Sequence, residues 1–459
     1  MKPLSLSTIL KASGINGPAP SVTIQYVGDN IRKIRNRSVI FHLNKERSVN
    51  VKRFRRLEHC YIVTDQPLIK NTLPEDKVYY VPNIQAAYLN FARYYRGLFD
   101  VKVVAVTGTC GKSSTKEMIA QVLQKKGPVV FTFQSRNGLS RHNDYLMQID
   151  DETKYVVLET ALTHTGHILR ACELFKPQIG IITTIGIDHL NTFENHDCYI
   201  RAKAELLTGL NNEGILIVNN DDENIKKIDM SRFRGKIITF GIRNLSDFYA
   251  SDISYQKESM SFVLHWRNQK YSVGVAGLGI HTVYNALSAI AALTVLGLRT
   301  EEIIRFLREY KPIRSHIEPK LGPNGSIILD DTWSSNPTSV EAAFKVLKDL
   351  GINKRKIAVI GRISYLGKQE NESYKKIARM FLKNKIDILV TQDTKAKTIG
   401  DYLIKEGFDQ NKVFHCPNSQ LLTDTLKTLL TKDTIALFKW SMLDKRNQAV
   451  LNQLTVKKT

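Results

Sequence analysis

KVVAVTGTCGKSST, residues 102–115, is the stretch from which the rest of the chain is read. The apolar run Val103–Val106 has the content and length of a buried strand. It breaks into Thr107-Gly108-Thr109-Cys110-Gly111-Lys112-Ser113-Ser114, and beyond it Met118, Ile119, Val122 and Leu123 recur at helical spacing. Strand, glycine-bearing turn and helix in that order aim backbone N–H groups and the positive end of the helix dipole at a phosphate. In such a loop Lys112 reaches the terminal phosphates and the Ser113 hydroxyl ligates Mg²⁺. The loop is shorter than the usual G-x-x-x-x-G-K-[ST], because only Thr109 and Cys110 separate Gly108 from Gly111. With the flanking strand and helix both present, the reading is an ATP- or GTP-handling protein.

Working outward, 459 residues, 42% of them hydrophobic, exceed one core and predict roughly two to four domains. The longest nearly apolar run, Ala286–Leu298, is too short to span a bilayer and reads as a buried helix. The opening residues lack a sustained apolar segment, so no signal peptide is expected. Cys60, Cys110, Cys172, Cys198 and Cys416 form no CxxC pair, which fits a reducing cytoplasm and argues against a zinc or disulfide framework.

The net charge is +22. Residues 1–100 hold sixteen Lys/Arg against seven Asp/Glu, a surplus of nine, concentrated between Arg32 and Arg56. This is either a solvated basic face or a site for an anionic partner such as a nucleotide-sugar, a phosphate polymer, nucleic acid or a membrane surface. Only Phe41 and Phe54 interleave with those cations, which disfavours a nucleic-acid reading surface.

The pattern predicts an α/β protein of three domains. Residues 1–100 form a small α/β unit with strands near Val22–Tyr26, Ser38–Leu43 and Cys60–Thr64 and a helix over Ile84–Tyr95. Residues 101–313 alternate strands and helices as a parallel sheet does, with an antiparallel insert over residues 248–275. The Lys311-Pro312 and Gly322-Pro323-Asn324-Gly325 breaks bracket a linker, and residues 314–459 read as a second doubly wound, Rossmann-like domain.

Four features outside the loop carry chemistry. Glu159 ends the Tyr155–Leu158 run, where an acid holds Mg²⁺ or caps a helix. Asp188-His189 follows the next strand; a lone histidine is more often structural than a ligand. Lys203 lies in a helix with Ala202, Leu206 and Leu207, where a lysine ordinarily snorkels to solvent. Asp330-Asp331-Thr332-Trp333-Ser334-Ser335-Asn336-Pro337 is a polar turn whose acids suit ribose hydroxyls.

The set TGTCGKSST, LETALTHTG, IITTIGIDHL, AKAELL, GIHTVYNALSAIAAL and ILDDTWSSNPTSVEAA, in this order and spacing, resembles the Mur ligase family. The resemblance implies an ATP-dependent amide-bond ligase with a P-loop central domain, an N-terminal domain for an anionic, UDP-linked acyl donor, and a C-terminal domain that brings an amino acid or dipeptide amine. It implies that residues Thr107 to Ser114 hold the nucleotide phosphates, that Asn285 and His281 face the adenine, and that Asp331 and Arg314 also serve the nucleotide. It implies one Mg²⁺ on Ser113 and Glu159, and a second on His189 and a carbamylated Lys203. A cytoplasmic monomer is expected.

Departures from the family pattern fall in the substrate halves. Arg314-Ser315-His316 stands where one linker arginine is usual, Gly361-Arg362-Ile363-Ser364 replaces an acidic motif, and Lys439-Trp440-Ser441-Met442 replaces Lys-Gly-Ser-Arg. Asp29-Asn30-Ile31-Arg32-Lys33 is a degenerate form of the UDP-binding turn. The expectation is therefore a Mur-type ligase with altered substrates. The alternatives are a ligase-derived nucleotide-binding regulator and an ATPase acting on nucleic acid.

Overall fold

A computed structural model describes residues 1–45, 48–67, 73–188, 191–441 and 444–455, without the side chains of residues 139 and 140. The chain forms two compact units: Met1–Ala105 with Leu123–Gly180 and Glu205–Gly214, and Val106–Val122 with Ile181–Ala204 and Ile215–Thr459.

The first strands, β1 (Leu4–Ser5) and β2 (Thr23–Ile24), pair antiparallel. Next come β3 (Tyr26–Gly28), β4 (Ser38–Phe41), β5 (Cys60–Thr64) and β6 (Val78–Tyr80), a four-stranded parallel sheet in that order. The central strands are β7 (Lys102–Thr107), β8 (Val129–Phe131), β9 (Tyr155–Glu159), β10 (Ile179–Ile182), β11 (Ile215–Asn219) and β12 (Lys236–Gly241). They continue into β13 (Phe248–Tyr255), β14 (Ser259–Trp266) and β15 (Gln269–Ala276), giving nine strands in the order β15-β14-β13-β12-β11-β10-β7-β9-β8. The expected insert is therefore an antiparallel extension of this sheet. It joins through the parallel pair of β12 and β13.

Six strands form the last sheet: β16 (Glu318–Leu321), β17 (Ile327–Asp331), β18 (Arg355–Ile360), β19 (Ile388–Thr391), β20 (Val413–His415) and β21 (Thr434–Lys439), in the order β16-β17-β21-β18-β19-β20. All but β16 run parallel. β16 occupies the stretch read as linker. It escapes a pattern search because it is a four-residue edge strand with Pro319 in it, tolerated where no inner neighbour needs that N–H.

Within the first unit, the helix Ile84–Gly97 starts at Asn83, whose side chain accepts the Ala86 N–H. It turns Ile84, Tyr88, Phe91 and Tyr95 to one face, where Phe41 packs on Tyr88 and Phe91 at ring separations of 5.2 and 5.6 Å. Tyr95 also accepts the Lys2 N–H and donates to the Ile149 carbonyl at 2.7 Å. In the second unit, two apolar cores cover the two faces of the six-stranded sheet. The helix Pro337–Leu350 begins on a reciprocal capping box between Asn336 and Ser339, with Pro337 in its first turn. Asn336 is thus itself the cap.

Candidate functional site

The strand β7 ends in the glycine turn, and the helix Lys112–Gln124 starts directly from it. Gly108 (φ 144°) and Gly111 (φ 83°) take backbone conformations that side-chain-bearing residues rarely adopt. A Cβ on Gly108 would lie 2.1 Å from Thr183 Oγ1, and one on Gly111 would lie 2.3 Å from Asn285 Oδ1. The turn is held from β10 and the loop after it. Thr109 N–H donates to the Thr184 carbonyl (2.6 Å), Gly186 N–H donates to Thr109 Oγ1 (2.9 Å), and Thr183 Oγ1 donates to the Cys110 carbonyl (2.6 Å). Thr109 Oγ1 also lies 3.0 Å from the Tyr199 hydroxyl. Lys112 Nζ folds back on the Thr109 carbonyl at 2.9 Å. Ser113 and Ser114 sit half-buried in the first helical turn. Burial pushes the Cys110 thiol up to about 11, so it stays protonated near neutral pH.

Lys203 is buried inside the helix His196–Gly209, not snorkelled. Its Nζ donates to Thr107 Oγ1 at 3.3 Å and lies 5.3 Å from the centre of the Tyr199 ring. The helix Ile280–Val295 carries His281 in its first turn and the buried Asn285 on the Gly111 side. Burial lowers the pKa of His281 to about 4, so its ring is neutral at physiological pH.

From β17, Asp330 and Asp331 diverge. Asp330 is fully buried and tied to Lys320, Ser315 and Thr332. Asp331 pairs with Lys439 Nζ at 2.7 Å, and the same ammonium donates to the Ser334 carbonyl. Asn336 Nδ2 donates to Asp188 at 3.3 Å, and Thr338 Oγ1 accepts the Ile187 N–H. Arg314 is exposed, in a linker where Ser315 and Ile317 hold left-handed backbone (φ 59° and 52°). His316 packs beside Trp333. Arg362 is exposed in the loop after β18.

Glu159 belongs to the first unit, at the carboxyl end of β9. Its carboxylate accepts from Asn137 Nδ2 at 2.6 Å, and its N–H donates to Thr132 Oγ1. His189 lies outside the described residues. Among the described residues no group of three or more His, Cys, Asp or Glu converges on one point. Taken singly, the Ser113 hydroxyl at a helix start and the buried Glu159 carboxylate are oxygen donors of the kind Mg²⁺ takes. A lysine ammonium does not ligate a metal, so Lys203 fits such a role only as a carbamate.

A motif overlooked in the sequence is Asn219-Asn220-Asp221-Asp222-Glu223-Asn224, which closes β11 and the turn beyond it. Asp222 accepts from Thr184 Oγ1 (2.5 Å) and the Ile185 N–H (2.9 Å), and Asn224 Nδ2 donates to the Ile185 carbonyl. It thereby braces the loop that braces the glycine turn. Asp221 accepts from three backbone N–H groups at residues 242–244 and from the Tyr284 hydroxyl, next to Asn285. These hydrogen bonds hold its carboxyl below the usual range. The signal was available: paired acids at the carboxyl end of an apolar strand.

Fold and site together define a P-loop nucleotide-binding α/β protein with a second Rossmann-like sheet. Residues 106–293 match the Mur ligase middle domain and residues 317–439 the Mur ligase, glutamate ligase domain, together well over half the sequence. The chain belongs to the Mur ligase family, and so to the ATP-dependent ligases that form ADP and phosphate. It is 26% identical over 376 residues to the UDP-N-acetylmuramoyl-tripeptide–D-alanyl-D-alanine ligase of Bacillus subtilis, covering 81% of this chain and 80% of that one. The ligase of the same name from Buchnera aphidicola subsp. Acyrthosiphon pisum is 28% identical, with 79% and 78% covered. Among solved structures, MurF from Acinetobacter baumannii superposes with a TM-score of 0.86 at 24% identity over 99% of each chain. A pseudomurein peptide ligase type C from Methanothermus fervidus gives 0.66 at 18% identity, over 98% and 96%. Among the described residues no helix is long and apolar enough to cross a membrane.

Proposed function

We propose that this ligase activates a carboxylate as its acyl phosphate and joins it to an amino acid or dipeptide amine, in cell-wall or related polymer precursor synthesis, with recognition surfaces altered from those of its D-alanyl-D-alanine-adding relatives. The observation that carries the ligase reading is the glycine turn, braced on one side by Thr183, Thr184 and Gly186 and closed by Lys112 at a helix start. Three working parts divide the labour, over residues 1–100, 101–313 and 314–459.

Lys112 and the N–H groups of Gly108 and of residues 110–113 bind and neutralise the phosphates, with Thr109 anchoring the turn through its own N–H to Thr184, and Asp331 and Arg314 serve the nucleotide from the C-terminal part. Asn285 and the neutral His281 meet the base. Ser113 with Glu159, and His189 with a carbamylated Lys203, would hold two Mg²⁺ ions, which supply charge neutralisation for phosphoryl transfer. Positioning and electrostatics suffice, since no covalent protein nucleophile is required.

Altered recognition is supported at two places. Asp29 accepts from Asn143 Nδ2 (2.7 Å) and Lys33 pairs with Asp144 (2.5 Å), so the turn that would bind UDP is engaged within the protein. Arg362 puts a cation where relatives of this kind carry an acid, which favours an amine substrate with an additional negative charge. The test is phosphate release from ATP with a panel of UDP-linked and unlinked carboxylates against amino acids and dipeptides. A ligase requires both partners, and Lys112→Ala abolishes the release. Nucleotide binding without release for any pair would favour a regulatory protein.

A further inference from the structure

The five parallel strands of the last sheet end in Asp331, the Arg362 loop and Lys439 at one edge. At the opposite edge the connections entering four adjacent strands all carry cations. Lys432 precedes β21, Lys354 to Lys356 open β18, Lys385 precedes β19 and Lys412 precedes β20. At the usual strand spacing this row spans about 14 Å. A cleft of about 730 Å³ lies along it.

The charges are only partly compensated. Among the described lining residues Asp387 is the one carboxylate, and it is committed to Lys356, accepting its N–H at 2.7 Å and its ammonium at 3.0 Å. Just outside the cleft, the exposed Asp409 lies 3.8 Å from Lys412 and the exposed Asp433 follows Lys432, which leaves the cations in excess. Lys354 Nζ and an Arg355 guanidinium nitrogen are pinned by main-chain carbonyls, those of Lys432 (2.9 Å) and Leu429 (3.1 Å), which fix the cations without neutralising them. Cations held close together in this way raise the local potential and favour a multivalent anion. Ile352, 72% exposed, projects among them. An apolar tip ringed by lysines fits the phosphate layer of an anionic bilayer. Among the described lining residues the one aromatic ring is the half-buried Phe414, a poor platform for stacked bases.

We propose that this edge is a second anion site that takes phosphate groups, either lipid headgroups of an anionic membrane or the phosphates of a free polyphosphate. Full-length protein is floated with vesicles of phosphatidylglycerol and phosphatidylcholine in equal parts, and with phosphatidylcholine alone, and is titrated separately with inorganic tripolyphosphate. The comparison is K354E/K385E/K412E, with ATP affinity as the check on an intact fold. The parent binds at least one probe in a salt-sensitive manner. The variant binds that probe at least about tenfold more weakly and ATP equally well. Flotation with phosphatidylglycerol vesicles assigns the lipid source, and I352S then weakens flotation without changing tripolyphosphate binding. Tripolyphosphate binding alone, lost in the variant, assigns free phosphate. Equal binding by parent and variant, binding of neither probe, or binding of single-stranded RNA alone overturns the proposal.

Discussion

At Gly108 there is no room for a side chain. Its φ of 144° and the 2.1 Å approach of a Cβ to Thr183 Oγ1 mean that Gly108→Ala must displace β10's end or the turn. We expect this variant to stay folded but to lose at least about tenfold in ATP affinity by calorimetry, because N–H groups aimed at phosphate go out of line. Unchanged affinity would mean that the turn does not bind phosphate. Lys439 and Asp331 test a different cost. Both are buried, with side chains 1% and 10% exposed, so Lys439→Met strands a carboxylate. The expected loss is about 3 kcal/mol in denaturant unfolding, partly restored by adding Asp331→Asn. The glycine turn could be read from the sequence because its whole signal lies within a dozen residues. Asp222 shows in the sequence only as one of two acids closing an apolar strand; its role in holding Thr184 and Ile185 does not show, because those residues are some 37 positions away along the chain.

Among the elements, the short helix Leu139–Leu146 holds a histidine whose burial makes stability depend on pH. Its His142 is fully buried beside Phe175, with neither ring nitrogen in a well-formed hydrogen bond. Burial lowers its pKa to about 4. Between that value and the unfolded one the denatured chain binds the extra proton, so stability is lost as pH falls through this window and regained as it rises toward neutrality. The full effect is about 3 kcal/mol. Urea unfolding at pH 7 and pH 4.5 should therefore differ less for His142→Leu than for the parent. An unchanged difference would place the acid sensitivity elsewhere. Inner strands such as β9 and β11 were legible because both faces are buried and the apolar run is continuous. β16 and β20 were not: each is short, lies at a sheet edge and is only half-buried or exposed, so no apolar run marks it.

For the molecule as a whole, nucleotide should act as a stabiliser by mass action. With Mg·ATP at a hundred times its dissociation constant the gain is about 2.7 kcal/mol, seen as a higher melting temperature, and Lys112→Ala should abolish that increment. The α/β class and the succession of sheets followed from strand and helix periods. The substrates did not, because the state of a segment such as the Asp29–Lys33 turn depends on pairs remote in sequence, like Lys33 with Asp144. β21 lies between β17 and β18, yet the chain makes it after every other strand of that sheet. During translation β17 and β18 each wait with an open edge for more than seventy residues, and the sheet acquires its middle only at the last step. That interval is when the nascent C-terminal half is most exposed to strand-swapping with a neighbouring chain, and when a chaperone would have most to protect.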